Sequence, residues 1–123
     1  MSRKSKILPY KTILNGNLSD AQIIGKSTTV KETDVVHMNV NWSGAQPTSG
    51  TFKVEATMDS DPANANWFEL DFGATISISG VSGDHQLVIQ QVSFLHVRPV
   101  YDRTNIGATG ALDVQLFATT KGA

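Results

Sequence analysis

The side chains in this chain that could do chemistry are few, and most have a plainer structural use. Asp59, Ser60, Asp61 and Asn64 place oxygen donors close together, the ligand type that hard cations such as calcium take. The stretch lacks the loop length, central glycine and terminal glutamate of a calcium-binding hand. Aspartate and asparagine around Pro62 are instead what a side-chain-capped turn requires. Glu69 and Asp71, at i and i+2, point to one face of a strand, where paired carboxylates can perform acid/base work. They are equally well explained as the wet stripe opposite Phe68, Leu70 and Phe72. His37, His85 and His96 are far apart and have no carboxylate arrangement that would mark a triad or a metal site. The glycines at 73, 80, 83, 107 and 110 have no lysine or helix start behind them, so they read as turns rather than a phosphate cradle. The chain has no cysteine, which removes thiolate nucleophiles, disulfides and zinc–thiolate centres. The sequence therefore predicts no catalytic, cofactor-binding or metal-ligating residues, and no enzyme.

Two aromatic residues and one cation remain. Trp42 and Trp67 could serve as sugar-stacking platforms, which makes a carbohydrate-binding β-sandwich module the alternative function. Trp42, however, continues the apolar series Val36, Met38 and Val40 and reads as core or sandwich rim, and Trp67 immediately precedes a strand whose core end it can cap. Arg98 shares a strand face with His96 in a run short of charge. It is expected either to pair with an acid on a neighbouring strand or to protrude into a partner.

Charge is unevenly distributed along the 123 residues. The net charge is -1, yet Arg3, Lys4, Lys6 and Lys11 lie near the start, whereas every acid falls at Asp20 or later. The pattern is a basic arm on an acidic body, and the arm suits an acidic neighbour or a polyanion. Its apolar residues Ile7, Leu8, Tyr10 and Ile13 would gain by burial on that neighbour, and Pro9, which donates no ladder hydrogen bond, fits an extended arm or an edge strand. No apolar stretch with a small-residue cleavage site follows the first basic residues, which argues against a secretory signal. No apolar run approaches the length that spans a bilayer.

These residues must be positioned by strands, because nothing in the chain has helical periodicity and several runs alternate with period two. Val36, Met38, Val40 and Trp42 alternate with His37, Asn39 and Asn41. Phe52, Val54, Ala56 and Met58 alternate with Thr51, Lys53, Glu55 and Thr57. Later come Phe68 to Phe72, Ile76 and Ile78, Leu87 and Ile89, Leu95 to Tyr101, and Leu112 to Ala118, with a short strand at Ala21 to Ile24 and a ragged edge at Lys26 to Thr33. The expected fold is all-β: an antiparallel two-sheet β-sandwich, jelly-roll or Ig-like, of eight or nine short strands with an extended basic N-terminal arm, a small closed barrel being the structural alternative. The predicted organisation is an arm or edge strand over residues 1–14 and a single sandwich domain over 15–123, with Val97, Leu112, Val114 and Leu116 facing the core.

Trp67, Phe68 and Leu70, a glycine-bounded strand, then Phe94, His96, Val97, Arg98, Val100 and Tyr101, and finally Gly107, Gly110, Leu112, Val114, Leu116 and Lys121 make up a series that resembles a pattern in small virion proteins of tailed bacteriophages. The resemblance covers the last half of the chain. It implies a non-enzymatic structural component of the particle, either capsid decoration or cement, or part of the neck or tail. It also implies partners among other virion proteins and a location in the virion after synthesis in the host cytoplasm. The partly apolar arm on a small non-enzymatic sandwich predicts a homo-oligomer or one copy among many on a larger assembly. No direct nucleic-acid contact and no membrane are expected. The residues expected to bind partners are Arg3, Lys4, Lys6, Ile7, Leu8, Tyr10 and Arg98.

Overall fold

A computed structural model of the chain describes residues 7–30, 33–45, 49–90 and 92–119. These form ten strands: β1 (Ile7–Asn17), β2 (Gln22–Ile24), β3 (Thr28–Thr29), β4 (Val35–Ser43), β5 (Gly50–Thr57), β6 (Phe68–Glu69), β7 (Ile76–Ile78), β8 (Ser82–Gln90), β9 (His96–Arg103) and β10 (Ala111–Thr119). Among the described residues the only helix is a 3-10 turn at Pro62–Asn64. Eight or nine strands were expected; the tally differs where edge pieces of two or three residues count separately.

Two antiparallel sheets result. The first has the order β1-β10-β4-β8; the second has β2-β9-β5-β6, with β3 also on β9 and β7 also on β5. Their inner faces share one hydrophobic cluster, as in a β-sandwich. Period-two alternation explains who contributes: Val36, Met38 and Val40 on β4 and Leu112, Val114, Leu116 and Ala118 on β10 face Phe52, Val54 and Ala56 on β5 and Val97 and Tyr101 on β9, all buried. Each large side chain so buried stabilises the fold by roughly 1.5 to 3 kcal/mol before ordering costs. The Tyr101 hydroxyl, deep in the core, donates to the Leu18 carbonyl at 2.9 Å and ties β9 to the link between β1 and β2.

Several expectations are corrected by the structure. Residues 7–17 form a strand at the edge of the chain's own first sheet, against β10. This is the edge-strand alternative for the start of the chain, and the strand runs three residues past the boundary drawn at residue 14. The register on β10 shifts between Leu8 and Lys11 and again between Thr12 and Leu14. Such bulges put an extra residue on one strand, and the second lets the consecutive Ile13 and Leu14 both reach the core. Met58, expected on the inward face of β5, lies past the end of that strand and is exposed. The run Phe68 to Phe72 forms a strand only at Phe68–Glu69. Phe68 is 45% exposed, as befits a sheet edge, while Leu70 and Phe72 still pack on the core. Gly83 is no turn glycine: it lies within β8 opposite Trp42, and a Cβ there would run into the indole ring.

Candidate functional site

The outer face of the second sheet carries the densest set of polar contacts. Antiparallel register sets Glu55 on β5 beside Arg98 on β9, and Thr51 beside Asp102, so side chains alternating outward on two strands become lateral neighbours. Arg98 donates from Nε and approaches with Nη2 the same Glu55 oxygen, each at 2.8 Å. Lys53 lies 3.8 Å from the other Glu55 oxygen and 3.4 Å from Asp102. Gln22 on β2 donates to Asp102 at 2.7 Å. At the opposite end the Arg98 guanidinium lies over the Trp67 ring, 4.2 Å from its centroid, a cation–π contact. A ladder thus runs across the sheet from Gln22 to Trp67, with each charge beside an opposite one. An open groove of about 380 Å³ flanks it, lined in part by Lys53, Glu69, Asp71, Phe72 and Asp102. Charges already neutralised by neighbours link the strands, and among the described residues of this face no nucleophile is paired with a base.

The Asp59 to Asn66 loop spends its oxygens on itself. Asp61 accepts from the Ala63 amide at 3.1 Å and from the Asn64 side chain at 2.9 Å, and those two hydrogen bonds, Asn64 first, hold its carboxyl below the usual range. Asp59 accepts from the Asn66 amide at 2.8 Å. This is the capped turn that the composition suggested, and among the described residues no three acids and histidines converge to hold a metal. The histidines lie on separate strands: His37 packs its ring on Phe117 at 5.9 Å, His96 lies 3.2 Å from the Ser60 carbonyl, and His85 is exposed on β8. Asp71 accepts from the Gly73 amide at 2.7 Å, and Glu69 stands exposed beside it. Trp42 is half-buried and donates from Nε1 to the Ser79 carbonyl at 2.9 Å.

Of the residues expected to bind partners, only Arg98 is described in full, and it is engaged within the chain. Arg3, Lys4 and Lys6 lie outside the described residues. Ile7, Leu8 and Tyr10 are placed on β1 by their backbone, and their side chains also lie outside the description. Sequence reasoning missed the stacking of Trp67 on Arg98. The available signal was Glu69: it sits two residues after Trp67 and pairs in register with Glu55, the acid that holds Arg98. No protein-family model matches the chain, and no curated protein matches its sequence.

Proposed function

We propose that the chain is a non-enzymatic structural protein of a bacteriophage particle, binding neighbouring virion subunits as capsid decoration or cement, or as a neck or tail component, and present there in many copies. The observation that carries this reading is the strand order. Taking β2 with β3 and β6 with β7 as interrupted single strands, the two sheets run 1-10-4-8 and 2-9-5-6, and we assign this connectivity to the jelly roll rather than to the Ig-like alternative. Jelly rolls are the common architecture of viral capsid domains and of many lectins, so the inference is one of fold-level analogy. It agrees with the resemblance of the last half of the chain to tailed-phage virion proteins and with a polar face whose charges are already paired.

The lectin branch of that analogy is weaker on these side chains. Arg98 lies over one face of Trp67, and Trp42 is half-buried, hydrogen-bonded to Ser79 and packed on Gly83, so each ring already has a structural use within the chain. Mass spectrometry of purified particles of the virus that encodes the chain tests the reading. The chain is expected among the structural proteins in multiple copies; its absence from particles would overturn the proposal. Glycan binding lost on Trp67→Ala in a protein that stays folded would move the function to the carbohydrate class.

A further inference from the structure

We propose that the two lateral sides of the sandwich are complementary, and that copies of this chain join head to tail, the basic β1 side of one against the acidic β8 side of the next. The inference deepens the virion reading and rests on it only for the supply of many copies.

Charge is the first observation. Between Lys53 and Arg98 the sequence has no lysine or arginine, and this stretch folds into β6, β7 and β8, the edge strands of one lateral side. Glu69 and Asp84 are exposed there. On the opposite side Lys11 stands exposed on β1, and Lys26 is exposed where its amide donates to the Ile13 carbonyl at 2.7 Å. Arg3, Lys4 and Lys6 precede β1 in the chain. Among the described residues none of Lys11, Lys26, Glu69 and Asp84 has an ion-pair partner.

The edges are the second observation. β8 runs from Ser82 to Gln90 and, among the described residues, pairs only with β4, so alternate backbone donors and acceptors along it face outward, a template for strand addition. Beside it, between β7 and β8, lies a groove of about 350 Å³ whose lining includes Phe72, Ile76, Leu87 and Val88. Val88 is 45% exposed and Val81 is 80% exposed.

Strand parity joins the two. The first sheet has four strands, each antiparallel to its neighbour. Its two edges, β1 and β8, therefore run in opposite directions. A second copy in the same orientation presents its β1 antiparallel to β8 of the first, and the ladder continues from copy to copy along the part of β1 that precedes Ile13, whose carbonyl is taken by the Lys26 amide. The contact is heterologous and repeats, closing as a ring or extending as a filament according to the rotation between copies.

Sedimentation of the purified chain, of Lys11→Glu/Lys26→Glu and of Glu69→Lys/Asp84→Lys tests this, with circular dichroism confirming the fold. The parent chain is expected to self-associate, less so as salt rises from about 0.05 to about 0.5 M. Each double variant should associate about tenfold more weakly or worse, and an equimolar mixture of the two should recover association, because each supplies the charge the other lacks. A mass that plateaus and one that grows with concentration both support the contact. Because the chain lacks cysteine, Lys11→Cys and Asp84→Cys proteins treated with a short bifunctional maleimide give a second readout: cross-linking in the mixture, with little in either alone. A parent chain monomeric at every concentration, association untouched by both double variants, or loss on the β8 side alone, which signals a two-fold contact, would each overturn the proposal. Particle composition is scored separately: a chain that joins head to tail but is absent from particles sinks only the virion reading.

Discussion

At single positions the fold depends on close approaches that few side chains tolerate. The Trp42 indole lies over Gly83 and donates to Ser79. Gly83→Val is expected to displace the ring, shift tryptophan fluorescence toward that of a wetter environment and cost about 1 to 3 kcal/mol; urea melts followed by fluorescence check it. Tyr101 makes a different kind of demand. Burial raises its pKa above the ordinary 10.0, and the Arg103 charge offsets this only in part. The folded chain thus holds the phenolic proton more tightly than the unfolded chain does. The contribution of this group to stability is complete below the unfolded pKa and is lost as pH rises through the higher folded value. Stability should be flat toward neutral pH as far as Tyr101 is concerned and decline in strong alkali. Tyr101→Phe should remove that part of the alkaline decline, while costing about 1 kcal/mol at neutral pH because the Leu18 carbonyl loses its donor. Chemical denaturation of both proteins across pH measures the difference.

Among the strands, β1 decides how arm and body divide. It supplies Ile13 and Leu14 to the core and covers one side of β10. Deleting residues 1–14 is therefore expected to destabilise the domain by several kcal/mol, since core side chains and edge hydrogen bonds leave together; a melting temperature within a few degrees of the parent would restore the picture of a detachable arm. The same strand shows where the sequence stops being legible. Strand β10 alternates strictly and can be read almost to the residue; β4 and β5 depart from alternation only at their ends, and β9 does so at Pro99, Val100 and Tyr101, three buried residues in a row. Around Ile13 a bulge sends two neighbours inward, and period two fails as a guide. The first half of β8 was unreadable for another reason: its inward position opposite Trp42 is glycine, the space being filled by the indole. In the polar ladder Arg98 could be singled out from its sparse surroundings. Its acid could not, because Glu55 lies 43 residues away and only the register of β5 on β9 makes them neighbours.

For the molecule as a whole, the place of the last two strands governs how it must come together. β9 lies between β2 and β5 in one sheet, and β10 between β1 and β4 in the other. The segment from His96 to Thr119 therefore fills interior positions in both sheets, and until it arrives β1 and β2 have no ladder partner among the described residues. Assembly cannot proceed strand by strand along the chain; it waits for a late insertion across long loops, whose closure entropy must be met before the native contacts form. Refolding from denaturant is expected on the millisecond-to-second scale of non-local β topologies, which stopped-flow fluorescence can read; microsecond refolding would contradict it. A chain halted before residue 96 would hold unpartnered strands and exposed apolar faces, and should aggregate rather than persist as a smaller domain.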